Sequence, residues 1–175
     1  ALSTYARLLP LQSGAARAQT LVSIADLRAA QNDFPGAIAA YSQASALAPR
    51  DAKIQLAYAQ LLAYNNQWSQ AAPIVERAVA LAPNNPRALA LQVQIASQTG
   101  DAARAELLAQ RLENVAPASV EESLQIADAL REVGNTSAAN RFLSDAARKS
   151  ASPDTSIRLA NALRDSGEYD AAITI

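Results

Sequence analysis

Apolar residues recur along this chain at helical spacing. Leu21, Ile24 and Ala25 form one group, Ile126, Ala127 and Leu130 a second, and Leu159, Ala160 and Leu163 a third. Steps of three and four residues put each group on one face of an α-helix, with polar positions opposite. A second kind of segment carries Ala37, Tyr41, Ala44 and Leu47, then Ala71, Val75, Ala78 and Leu81. Each of these runs into the same four residues, Ala46-Leu47-Ala48-Pro49 and Ala80-Leu81-Ala82-Pro83. Proline has no N–H with which to continue a helix, so it marks the exit. The leucine before it is expected on the packed side of the helix.

The interval between the copies is 34 residues, and Val115-Ala116-Pro117 puts a third proline 34 residues beyond Pro83. Set in rows 18–51, 52–85, 86–119, 120–152 and 153–175, the chain shows columns. One holds alanine five times, at Ala37, Ala71, Ala105, Ala139 and Ala172, as two closely approaching helices require. Another reads Asn32, Asn66, Gly100, Gly134 and Gly167, residues that tolerate the left-handed backbone ending a helix. A polar residue follows (Asp33, Gln67, Asp101, Asn135, Glu168), then a mostly aromatic plug (Phe34, Trp68, Tyr169). Pro35 is expected as a first helical residue, and Pro73 three or four residues into its helix. Each row is therefore a helix A, a turn, a helix B and a second turn. Row three departs, with Gln92 and Val93 for an apolar residue and alanine, and Leu112 for alanine, so its packing is expected to differ. Residues 1–17, with Leu2, Tyr5, Leu8, Leu9 and Leu11, read as the end of an earlier helix B. An unfinished helix B at 169–173 predicts that the array also continues downstream.

Leu21-x2-Ile24-Ala25, Ala37-x3-Tyr41-x2-Ala44 and Pro49, followed by Tyr58-Ala59, Trp68, Ala71-x3-Val75-x2-Ala78 and Pro83, resemble the tetratricopeptide repeat. The resemblance implies an all-α fold, a right-handed superhelical solenoid of antiparallel helix pairs, covering 18–175. It also implies a concave, partner-binding groove lined by the helix A residues that point away from helix B. By register these are Lys53, Gln60 and Tyr64, Arg87, Gln94 and Gln98, and Gln125, Asp128 and Arg131. Gln19, Asp26, Glu121, Arg158, Asn161 and Arg164 flank them. Glutamines and a tyrosine on neighbouring turns suit an extended peptide or a sugar chain, by hydrogen bonding and stacking. The lysine, asparagine and arginine set with which some repeats of this type hold a terminal carboxylate is absent. The matching places hold Val22 and Asp26, Ala57, and Arg87 and Leu91.

Composition narrows the function classes. Alanine makes up about a quarter of the 175 residues and β-branched side chains are few, which favours helix. A net charge of −1 gives no field to attract nucleic acid. Histidine and cysteine are both absent, which removes the usual general base, the thiol nucleophile and the common zinc ligands, so no catalytic, cofactor or metal site is expected. Glu121-Glu122 falls in a first helical turn, where acidic side chains favour the positive helix end. Asn135-Thr136-Ser137 is a formal glycosylation sequon, but in an inter-helix turn it reads as turn chemistry. No apolar run approaches the roughly 20 residues of a membrane span. The expectation is a non-catalytic scaffold, a piece of a larger bacterial protein, that takes a protein or peptide in its groove. A second resemblance rests on composition alone. Abundant alanine, glutamine and arginine, no cysteine, and lysine only at Lys53 and Lys149 are similar to the periplasmic repeat section of bacterial exopolysaccharide exporters, such as the cellulose-secretion outer-membrane subunit. That reading implies a polysaccharide or its synthase as partner and the periplasm over the cytoplasm.

Overall fold

A left-handed residue stands in every turn where the column places one. The computed structural model, which describes residues 2–149, 152–165 and 167–174, has φ of 61° at Asn32, 57° at Asn66, and 81°, 78° and 82° at Gly100, Gly134 and Gly167. Each reverses the chain so that the following helix folds back on the one before. Among the described residues every regular element is helical.

The chain forms two compact units, residues 1–83 and 84–175. The first holds α1 (Leu2–Leu8), a 3-10 turn (Leu9–Leu11), α2 (Gly14–Ala30), α3 (Phe34–Leu47), α4 (Ala52–Tyr64) and α5 (Trp68–Leu81). Here α2 pairs with α3 and α4 with α5, and α3 packs on α4. Helix α2 begins at Gly14, four residues before the row does, while Leu2, Tyr5 and Leu9 pack against the core of the first hairpin. Pro35 is the second residue of α3 and Pro73 the sixth of α5, where it removes one ladder hydrogen bond from an unbroken helix.

The second unit holds α6 (Pro86–Gln98), α7 (Ala102–Leu112), α8 (Val120–Glu132), α9 (Thr136–Lys149), α10 (Pro153–Asp165) and α11 (Tyr169–Ile173). The pairs are α6 with α7, α8 with α9 and α10 with α11, and the helix A elements α6 and α8 also pack directly on each other. Short polar side chains start several of the helices. Asp33, Asp51, Asn85, Asp101 and Ser119 each accept a hydrogen bond from a backbone N–H of the first turn, which would otherwise lack a partner. Gln67 does not cap: its Oε1 is buried without a hydrogen-bond partner.

The core follows the columns. Ala37, Ala71, Ala105 and Ala139 are at most 1% exposed, and Ala172 is half-buried. Around them Leu62, Leu89, Leu130, Leu143, Leu159 and Leu163 are fully buried, each such side chain contributing roughly 1.5–3 kcal/mol. The leucines before the closing prolines depart from expectation: Leu47 is 42% and Leu81 39% exposed. Each is the last residue of its helix, where the chain already turns away from the packed face.

Row three differs in the length of its second helix, which its sequence reading did not anticipate. Helix α7 has 11 residues against 14 in α3, α5 and α9, so the link 113–119 is longer than the links 48–51 and 82–85. Glu113 and Asn114 stand where the other rows continue helix B. Glu113 Oε1 instead accepts a hydrogen bond from Asn135 Nδ2 at 2.7 Å, and Asn114 Nδ2 donates to the Gln110 carbonyl at 2.9 Å. Both side chains favour the unwound end, and Leu112 is fully buried beside it.

Candidate functional site

The helix A face differs between the units. In the first, α4 carries Lys53, Gln60 and Tyr64 at helical spacing, one above another along a single stripe with Ala57 between them. Asp51 caps the helix by accepting from the Lys53 and Ile54 N–H groups, which fixes where the stripe begins. Lys53 is exposed and Gln60 half-buried, and neither side chain has a hydrogen bond or ion pair among the described residues. Tyr64 is 74% exposed and leans on Phe34, with ring centroids 5.4 Å apart. The flanking Gln19 is also exposed, but Asp26 is engaged, accepting from the Tyr41 hydroxyl at 2.5 Å. Tyr41 in turn stacks on Tyr58. Burial, then the hydrogen bond and negative charge of Asp26, push the Tyr41 phenol far above its ordinary value.

In the second unit several of the groove positions are tied to the next helix A. Arg87 Nε lies 3.4 Å from Glu122 Oε1, and Gln94 Nε2 donates to Glu132 Oε1 at 2.8 Å, so both side chains join α6 to α8. Arg131 Nη2 donates to the Ala162 carbonyl at 2.8 Å and Arg158 pairs with Glu121 at 3.0 Å, joining α8 to α10. Asp128 is exposed and pairs with Arg131 at 3.3 Å; desolvation raises its carboxyl pKa while the guanidinium opposes the rise. Gln125 is half-buried with Oε1 lacking a hydrogen-bond partner, and Gln98 is exposed at the end of α6. Asn161 is exposed, and Arg164 pairs with its neighbour Asp165.

The sequence reading left out Glu122 and Glu132 as groove partners, because each lies more than a repeat away from the residue it meets. Its assignment of Glu121 and Glu122 to the first turn of α8 is also what the structure has, with Glu122 Oε2 accepting from the Ala118 N–H as well. The sequon asparagine is occupied: Asn135 Oδ1 accepts from the Ala138 N–H and Nδ2 donates to Glu113. Among the described residues no cluster of three or more acidic side chains could hold a metal ion, and no helix is long and apolar enough to cross a membrane.

Residues 28–95 match the tetratricopeptide repeat family. No curated protein matches the chain. Among solved structures, MamA (41-end) from Desulfovibrio magneticus RS-1 is similar over 77% of this chain and 78% of its own, with 17% identity and a TM-score of 0.60. YrrB, a TPR protein with an unusual peptide-binding site, is similar over 89% of this chain and 80% of its own, at 15% identity and a TM-score of 0.54. The APC/C hetero-tetramer Cut9-Hcn1 gives a TM-score of 0.64 and 18% identity over 90% of this chain, which spans 32% of that one. At these identities the likeness establishes the fold, an all-α tetratricopeptide repeat architecture. The exopolysaccharide-export resemblance finds no support among these matches.

Proposed function

We propose that the chain is a non-catalytic scaffold that binds a protein or peptide on its helix A face, with the α4 stripe of Lys53, Gln60 and Tyr64 as the primary contact. The observation that carries this reading is the state of that stripe. An ammonium group, an amide and an exposed aromatic ring stand in line with no internal bond to break before a partner engages them. Tyrosine offers a large, rigid contact area with a polar tip and loses little conformational freedom on binding. At the equivalent positions of α6, Arg87 and Gln94 already join α8, so a partner there must displace an existing contact, and the counterpart of Tyr64 is Gln98, exposed but without an aromatic ring. Arg87 and Gln94 hold the scaffold in shape. The absence of histidine and cysteine, and the peptide-binding site of the similarly folded YrrB, agree with binding in place of catalysis.

The test is a photo-crosslinking amino acid at position 60 in cells of the source organism, with recovered partners retested by pull-down against Tyr64→Ala and Lys53→Glu. Helical content should not move; the melting temperature should hold for Lys53→Glu and fall slightly for Tyr64→Ala, which loses the ring contact with Phe34. Partner retention should fall about tenfold for the tyrosine change and less for the charge reversal. Equal retention by wild type and both variants would remove the α4 assignment.

A further inference from the structure

The α6–α7 hairpin is attached to the next one differently from its neighbours. Elsewhere within a unit the outer helix of a pair packs on the following helix A, α3 on α4 and α9 on α10. Here α8 packs chiefly on the inner helix α6 and only slightly on α7. Helix α7 has 11 residues against 14 in α3 and α9, so it stops before it can cover its neighbour. The link 113–119 runs on past its end, and with the start of α8 and the later turns of α9 it walls a cavity of about 650 Å³.

The inner side of the same junction is laced. Arg87, in the first turn of α6, lies 3.4 Å from Glu122 in the first turn of α8. About two turns further along α6, Gln94 donates to Glu132, the last residue of α8, at 2.8 Å. All four side chains are partly or fully exposed, so each bridge contributes little by itself. The cavity leaves its lining atoms without contacts on one side, which favours closing it. The two effects oppose each other across the α6–α8 contact: swinging α7 toward α9 closes the cavity and stretches the bridges.

We propose that this junction is a hinge, with Arg87–Glu122 and Gln94–Glu132 as its latch and the cavity as the room for its swing. Unlatching frees Arg87 and Gln94 from the α8 carboxylates, so the hinge gates the α6 stretch of the helix A face. Glu113 accepts from Asn135 at 2.7 Å and lies 3.6 Å from Arg141, which tethers the end of α7 to α9 and limits the motion to a swing. The hinge does not rest on the α4 reading, and the two fail separately.

The chain has no cysteine, so nitroxide labels can be set at Leu107→Cys on α7 and Arg148→Cys on α9, both exposed and outside the cavity lining. Double electron–electron resonance then reads the distance between the two helices. Arg87→Ala with Gln94→Ala removes the latch, while Glu122 still accepts from the Ala118 N–H. That pair should shorten the distance by about 2–5 Å, the scale of helix shifts in switching proteins. Raising salt to about 1 M should shorten it in the labelled chain that keeps the latch. Ala116→Trp, which fills the cavity from an exposed link position, should return the latchless variant to the original distance. Arg158→Gln, which breaks an α8–α10 pair, should leave the distance unchanged. The hinge is overturned by an unchanged or longer distance in the latchless variant, by a shortening that survives Ala116→Trp, or by an equal shortening in Arg158→Gln. Should the double substitution lose helical content, the salt titration decides, and no shortening there overturns the hinge as well.

Discussion

Two hairpins of one repeat pattern put the same helix positions to different uses. On α4 of the first unit, Lys53, Gln60 and Tyr64 face solvent, and the local order comes from aromatic contacts, Phe34 with Tyr64 and Tyr41 with Tyr58. On α6 of the second unit the matching register holds Arg87, Gln94 and Gln98; Arg87 and Gln94 reach the neighbouring helix α8, and Gln98 is exposed. The ring contact with Phe34 leaves Tyr64 exposed for a partner, whereas the Tyr41 hydroxyl is taken by Asp26. Arginine and glutamate suit the second unit because long charged side chains span the gap between successive helices. A register position in a repeat therefore says where a side chain starts, and not whether it is available.

The difference lies on the surface and not in the alanine column, and the largest expected effect tests that. Ala37→Leu in the first unit and Ala139→Leu in the second both insert bulk where helices A and B touch, and each should destabilise by about 1–3 kcal/mol in urea denaturation. A cost confined to one unit would mean that the hairpins are packed differently inside as well. The turns separate the units next: asparagine serves in the first and glycine in the second. A Cβ at Gly134 would meet nothing within 4 Å, so Gly134→Ala should lose only the backbone penalty of a left-handed residue, about 1–2 kcal/mol. Asn66→Gly, at φ of 57°, should be neutral or slightly stabilising in the same assay.

Alkaline pH should act on the first unit. Tyr41 keeps its proton in the folded state, so above its ordinary value of 10.0 the unfolded chain loses a proton that the folded chain retains. Stability contributed below pH 10 is then lost as pH rises, by about 1.4 kcal/mol at pH 11. Tyr41→Phe should be less stable at neutral pH, having lost the Asp26 hydrogen bond, yet should lack this alkaline fall in thermal melts. Salt should act on the second unit, and weakly. Arg158→Gln breaks an exposed pair with Glu121 and should cost about 0.2–1 kcal/mol at low ionic strength. That difference should vanish in about 1 M salt. Persistence at high salt would mean that the arginine acts through packing of its stem.

The left-handed turns were legible because they are local: Asn32, Asn66 and three glycines are chosen by backbone sterics within a single residue. The alanine column was legible because one contact repeats and each copy must be small. The early end of α7 was not legible: row three stood out at Gln92, Val93 and Leu112, whereas the helix stops before Glu113 and Asn114, whose side chains bond Asn135 and the Gln110 carbonyl. The exposure of Leu47 and Leu81 was not legible, since periodicity marks a face but cannot say how far a neighbouring helix extends along it. For the same reason the engagement of Arg87 by Glu122 stayed hidden, the two being a full repeat apart.

By itself the sequence determined the 34-residue period, the alternation of helices A and B, the places of their turns and the absence of the usual catalytic and metal-binding side chains. These follow from steric and chemical properties that each residue carries with it. The tertiary structure decided which polar side chains are free and which are held, and it opened the cavity beside Phe142. Both depend on the distance between residues of different repeats, which only the packed helices fix.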